Sequence, residues 1–174
     1  MKRSLRPLLA VVATTGTLLV LSSCGLQQDL SQVPNPGAGS AQRATPISAA
    51  TLTGAAFDWS STRGHVVVLD FWGSWCGPCR AEQPDLNMLD AQWAPKGVIF
   101  LGVDVRDDNV DGAAYERDLH VVYPSVNDAD EVIVSEYNVI APPTVIVIDA
   151  HGNIAGRFVG TTAGISGDLT RLSP

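Results

Sequence analysis

Four apolar runs of strand length punctuate the chain, separated by stretches with helical spacing or turn chemistry. His65-Val66-Val67-Val68-Leu69-Asp70-Phe71-Trp72 is continuous rather than alternating, the pattern of a strand buried on both faces. Val98 to Val105 and Thr144 to Asp149 repeat that character. Ile154 to Val159 follows Ala150-His151-Gly152-Asn153 as the second arm of a hairpin. Between the first two runs a helix is predicted over about 77–94, with Leu86, Leu89 and Trp93 on one face. Pro84 falls inside it, removes an intrahelical hydrogen bond and is expected to kink it. Residues 107–119 and 128–137 read as two further helical segments. The tail, 161–172, holds Gly164 and Gly167, reads as a poor helix and is expected to leave one sheet face thinly covered. Strands alternating with helices and ending in a hairpin imply an α/β fold, a central mixed β-sheet flanked by helices.

The first 45 residues break this pattern. Lys2, Arg3 and Arg6 precede an apolar stretch from Leu8 to Leu21, the layout of a secretory signal. The stretch is shorter than the roughly 20 residues a membrane-spanning helix needs. Leu21-Ser22-Ser23-Cys24 closes it and resembles the bacterial lipobox, in which cleavage leaves the cysteine lipidated as residue one. An ordinary signal peptide, or an uncleaved anchor with an incidental cysteine, is the competing reading. From Gly25 to about Thr45 the composition turns to Gln, Ser, Pro, Gly and Ala with no apolar period, a tether with a reach of about 25 Å. The expected division is therefore 1–23 lipoprotein signal peptide, 24–45 lipidated Cys24 and flexible tether, and 46–174 one folded domain. The formal charge is −7, and removing residues 1–23 with their three cations takes it to −10. Such acidity argues against nucleic acid as a partner.

Chemistry enters at Trp75-Cys76-Gly77-Pro78-Cys79, where an apolar strand passes into a helix. Two cysteines at this spacing sit one helical turn apart, close enough for a disulfide, and a helix N-terminus stabilises a thiolate on the first. Pro78 presets the first helical turn, where a missing N–H costs nothing, and Gly77 leaves the approach to the first sulfur open. A zinc site would need two more ligands, and His65, His120 and His151 stand at no ligand spacing, so no metal is expected. A purely structural disulfide here would close almost no loop and stabilise little. Dithiol–disulfide exchange, with the redox-active disulfide itself as the only cofactor, is the reading the residues favour. Trp75 abuts the first cysteine and is expected to be partly exposed, as a shield and docking surface; a core role is the alternative.

Over about residues 46–172 the chain resembles the thioredoxin superfamily, in particular its membrane-anchored ResA/TlpA/CcmG branch. The resemblance rests on Asp70-Phe71-Trp72 running into Trp75-Cys76-Gly77-Pro78-Cys79-Arg80. It rests also on Glu82 and Pro84, Tyr123-Pro124, Tyr137-Asn138-Val139, Pro142-Pro143-Thr144 and Ile148-Asp149 with Gly152. It implies a thioredoxin-like fold in which 107–138 takes the place of a helical insertion. It implies that Cys76 is the exposed nucleophile that attacks a target disulfide, and that Cys79, buried behind it, resolves the mixed disulfide. Pro143 would be a cis-proline opposite the cysteines; from the residues alone Pro142-Pro143 could equally be a strand-entry turn. Trp75, Gly77, Pro78, Pro142 and Pro143 would line the substrate approach, and Pro142, lacking an N–H, is expected to loosen the main-chain clamp on the substrate. Asp70 would exchange a proton with the second cysteine and Glu82 would tune both. Two acids beside one thiol oppose each other's ionisation, so one of them is expected to be protonated at neutral pH.

Three functions remain open at this level. One is a lipid-anchored monomer on the extracytoplasmic face of a bacterial membrane. Fed by a membrane thiol-electron transporter, it would reduce disulfides in exported proteins such as apocytochrome c. The second is an oxidant that installs disulfides in exported proteins. The third is a binding or chaperone lipoprotein whose CxxC is incidental. The Gly-Pro dipeptide is thioredoxin's own, whose potential is near about −270 mV against about −120 mV for the oxidant DsbA, and it favours the first.

Overall fold

The computed structural model describes residues 42–173. The chain divides into two units, Met1–Pro34 and Asn35–Pro174, and the described residues lie in the second. The expected signal peptide, Cys24 and most of the tether therefore fall outside the described residues.

Strand β1 (Val67–Trp72) is buried at every position, as its unbroken apolar run requires, and it lies at the centre of a five-stranded sheet. Helix α1 (Gly77–Trp93) returns the chain to β2 (Ile99–Val105), parallel to β1. Helix α2 (Asn109–Leu119) leads to a short strand β3 (Ser125–Asp128), parallel to β2. After α3 (Val132–Glu136), β4 (Thr144–Ile148) runs antiparallel beside β1, and the hairpin strand β5 (Ile154–Val159) antiparallel to β4. The order across the sheet is β3-β2-β1-β4-β5, and α4 (Ile165–Leu172) ends the chain. This is the mixed, helix-flanked sheet expected.

Alternation along β1 divides the core. Val66 and Val68 face Leu86 and Trp93 of α1 and Ile165 and Leu169 of α4. Val67, Leu69 and Phe71 face Ile133, Tyr137 and Ile47 on the other side. Asp70 and Trp72, two and four residues beyond Val68, point to the α1 side, where Tyr115 of α2 stacks on Trp72 with ring centroids 4.2 Å apart.

Four details differ from expectation. The tail forms a helix after all: Gly164 adopts φ 95° at its N-terminus, and Ile165 and Leu169 are fully buried, so that sheet face is covered. The helical insertion contains β3, whose sequence Ser-Val-Asn-Asp has too few apolar residues to announce a strand. The third helix begins at Val132 rather than 128, because the Asp128 carboxylate accepts hydrogen bonds from the backbone N–H groups of Ile133 and Val134 and so serves as their cap. The end of the expected tether is paired. Arg43 bridges to Asn153, the Ala44 N–H donates to Gly152 O and Ile47 is buried, which carries the domain ahead of residue 46. From there the segment crosses the sheet to its opposite edge, where Thr51 bridges to Val126 of β3. Both edges of the sheet are thereby partly covered, the protection that exposed strand edges need.

Candidate active site

The C-terminal end of β1 delivers the chain into a turn, Gly73-Ser74-Trp75, and then into α1. Two contacts fix that turn. The Ser74 N–H donates to Asp107 Oδ2 at 2.6 Å, and the Cys76 N–H donates to Gly73 O at 3.0 Å. Gly73 has to be glycine for packing: a Cβ there would stand 2.6 Å from Trp75 Nε1 and 2.8 Å from Cε2. The space it leaves lets the indole lie back, donating from Nε1 to Val105 O at 3.0 Å. The Arg106 guanidinium lies 4.7 Å from a Trp75 ring centroid and pairs with Glu131 at 3.2 Å. Trp75 nevertheless keeps 49% of its surface exposed, the half-open placement expected of it.

Cys76 is the N-cap of α1, Pro78 lies in the first turn, and the Cys79 N–H donates to Cys76 Sγ at 3.2 Å. The two cysteines are joined as a disulfide, Cα–Cα 5.3 Å. The N–H that reaches Cys76 Sγ is one of the unpaired donors of a helix start, placed to stabilise a thiolate once the disulfide opens. A side chain at Gly77 would meet nothing within 4 Å, so its absence leaves that approach bare. The exposure expected of Cys76 is not found in this disulfide form: it is 4% exposed, Cys79 2%, and both pack with Trp72 and Tyr115. Bonding to a buried partner holds the first sulfur inward. Pro84 lies within α1, and the helix continues through it to Trp93.

The peptide bond between Pro142 and Pro143 is cis. Phe71 pairs with Thr144 in the antiparallel register, so the two prolines continue alongside Trp72 and Gly73, at the end of the sheet that carries the cysteines. The Gly160 N–H donates to Pro143 O at 2.9 Å, tying this loop to the end of β5.

Two acids stand on the elements that meet at the disulfide, Asp70 on β1 and Glu82 on α1 three residues after Cys79. Asp70 is buried, and burial pushes its carboxyl up to about 7; a hydrogen bond from Tyr123 opposes the rise and the Glu82 charge adds to it. Glu82 is half-buried on α1 and is likewise pushed up to about 7, by burial first and then by Asp85. Burial, rather than the mutual repulsion expected of the pair, is the chief cause of both shifts; the Glu82 charge adds to that of Asp70. A third acid, Asp104 on β2, had not been singled out. It is fully buried beside Trp72, its register partner, and neither oxygen has a hydrogen-bond partner among the described residues. Burial, then the charges of Asp107, Glu116 and Asp108, raise it to about 8.

Sequence reasoning also passed over the polar groups that hold Asp70. The Tyr123 hydroxyl donates to Asp70 Oδ2 at 2.9 Å and accepts from Gln83 Nε2 at 2.8 Å. The Tyr115 hydroxyl donates to Gln83 Oε1 at 3.3 Å. One signal was available for Gln83: it lies four residues after Cys79 and three before Leu86, inside the buried stripe of α1. Tyr115 carried none beyond its aromatic character, and Tyr123 stood out only as part of Tyr123-Pro124, with nothing to tie it to Asp70. The assembled site is a disulfide at a helix start, with a buried acid and a polar network behind it, a half-exposed tryptophan beside it and a cis-proline loop at the same sheet end. It is built for dithiol–disulfide exchange.

Comparison with known proteins points the same way. The Redoxin family model matches residues 38–169. The thiol-disulfide oxidoreductase ResA of Bacillus cereus is 28% identical over 125 residues, 71% of this chain and 72% of the relative. Soluble secreted antigen MPT53 of Mycobacterium tuberculosis is 36% identical over 134 residues, 76% of this chain and 75% of the relative. Among solved structures, a secreted M. tuberculosis disulfide oxidoreductase homologous to E. coli DsbE superposes with TM-score 0.65 at 33% identity, over 73% of this chain and 96% of that one. A thioredoxin-family thiol:disulfide interchange protein from Chlorobium tepidum gives 0.69 at 27% identity, over 78% and 99%.

Proposed function

The chain belongs to the Redoxin family and is a thiol-disulfide oxidoreductase of the ResA/CcmG type, and from that premise we propose that it is an extracytoplasmic reductant of disulfides in exported proteins. The observation that carries this reading is the pairing of a thioredoxin-like Cys76-Gly77-Pro78-Cys79 with two carboxyls, Asp70 and Glu82, both raised to about 7. An acid that holds its proton near neutrality can receive and return the proton of a thiol, which is what repeated dithiol cycling requires. The secreted relatives and the signal-like start of the chain support the location, and Leu21-Ser22-Ser23-Cys24 supports lipid anchoring.

In the forward cycle the Cys76 thiolate attacks one sulfur of the target disulfide and forms a mixed disulfide, releasing the target's other sulfur as a thiolate. Asp70 accepts the Cys79 proton, and Cys79 then attacks Cys76 Sγ. The target leaves with both thiols reduced, having gained two electrons, and this chain is left with the Cys76–Cys79 disulfide. In an oxidising compartment the cycle needs a dedicated electron source, for which a membrane thiol-electron transporter has the right chemistry. The CxxCH segment of apocytochrome c, whose cysteines must be reduced before haem attaches, is the target class that suits this direction of flow. The reduction potential of the Cys76–Cys79 couple tests the reading. A value near thioredoxin's, about −270 mV, is expected; one near about −120 mV would make the protein an oxidant and overturn it.

A further inference from the structure

We infer that Tyr123 and Gln83 are positioning residues that determine which oxygen of Asp70 exchanges the proton with the dithiol. The inference rests on the reading of Asp70 as the proton-exchanging acid, and it follows from the direction of every hydrogen bond in the chain of contacts behind the disulfide.

That direction is fixed from the far end. Asn87 approaches the backbone oxygens of Leu119 and His120 at 3.0 and 3.2 Å. Carbonyls only accept, so the atom facing them is the amide nitrogen and the Asn87 oxygen must face Gln83. The atom of Gln83 that lies 3.0 Å from that oxygen is then its nitrogen, Nε2, whose second hydrogen points to the Tyr123 oxygen 2.8 Å away. Gln83 Oε1 is left as an acceptor and takes the Tyr115 proton. With its oxygen accepting from Gln83, Tyr123 has one hydrogen to give, and Asp70 Oδ2 receives it at 2.9 Å. Reversing an amide link would place two donors or two acceptors face to face. Reversing the last link, with a protonated Asp70 donating to the Tyr123 oxygen, would leave the buried Tyr123 hydrogen without an acceptor.

Asp70 Oδ2 is therefore committed as an acceptor from Tyr123 whether or not the acid is protonated. The exchangeable proton is confined to Oδ1. One oxygen anchors the carboxyl and the other works, and the anchoring is set by carbonyls at the end of α2. The hydrogen bond also favours the ionised form, so Tyr123 offsets part of the effect of burial on Asp70. The titratable and charged groups around this set are Glu82 and Arg80 of α1, Tyr115 of α2, Asp104 of β2 and Tyr123 itself.

The test is the pH profile, from 5 to 9, of single-turnover reduction of insulin by the dithiol form of the full chain. Tyr123→Phe keeps the ring and removes the donor. The limb belonging to Asp70 is expected to move to higher pH by about one unit, slowing the reaction about fivefold at pH 7. Glu82 titrates in the same range, so the effect is read as the part that Asp70→Asn abolishes: the double variant should match Asp70→Asn alone. Asn87→Ala, at the half-buried far end, should move the limb the same way by less. A limb unmoved in Tyr123→Phe, an equal shift in the Asp70→Asn background, or no effect of Asn87→Ala would each overturn the inference. A profile that Asp70→Asn leaves unchanged would remove Asp70 from the mechanism, and this inference with it.

Discussion

Trp75 keeps half its surface in water although its indole is anchored at three points, by Val105 O, by Arg106 and by the gap at Gly73. A large apolar ring fixed in that posture beside a disulfide has little side-chain entropy left to lose if a protein docks on it. Trp75→Ala is expected to lower kcat/KM for a protein disulfide about tenfold while leaving oxidised glutathione within about twofold, and to change stability by less than about 1 kcal/mol. Equal losses on both substrates in a kinetic comparison would place the residue in the chemistry instead of docking. At this scale the sequence was informative wherever a residue broke a local pattern. Cys76 and Cys79 stood out by spacing, Asp70 by its place in an apolar run, and Pro143 by the company it kept. The contacts of Gln83, Tyr115, Tyr123 and Asp104 were not legible, since they depend on groups up to 53 residues away along the chain that only the fold brings together.

Elements with strong periodicity were legible and elements held by tertiary contacts were not. β1, β2, β4 and β5 lie within about two residues of the runs that announced them, because burial on both faces demands continuous apolar sequence. β3 and the paired stretch before Ile47 are held by backbone hydrogen bonds to neighbours, and these have no compositional mark. α4 is the instructive case. Its two glycines argue against a helix on propensity, yet Gly164 supplies the left-handed residue at the start and the Ile165 and Leu169 pair faces Phe158 and the sheet. If α4 closes that face, Leu169→Ala should cost about 2–4 kcal/mol in urea unfolding, as for a buried leucine. A cost below about 1 kcal/mol would return α4 to the status of a loose tail.

On the scale of the whole molecule, the buried acids set an unusual pH dependence. Asp70 and Glu82 are raised to about 7 and Asp104 to about 8, each chiefly by burial. An acid with a raised folded-state pKa holds a proton that the unfolded chain has already lost. Stability therefore falls as pH rises from the unfolded values near 4 to the folded values near 7–8, and it levels off beyond them. Asp58 and Asp149 work the other way: their carboxyls are lowered by hydrogen bonds from Ser60 and from Asn153 and His151, and what they contribute is lost only as pH falls below about 4. The balance places greatest stability near the unfolded carboxylate values, about pH 4, and a steady decline from there to pH 8, half-buried Glu82 contributing least because solvent screens it. The acidic net charge has the same sign of effect, so one substitution must separate them. Asp104→Asn removes a single negative charge but also the acid whose carboxyl is raised furthest of the three. In urea unfolding of the disulfide form, the wild-type midpoint is expected to drop between pH 5 and pH 8 and the Asp104→Asn midpoint to drop distinctly less. Parallel slopes for the two proteins would assign the decline to general repulsion and leave Asp104 without a part in it.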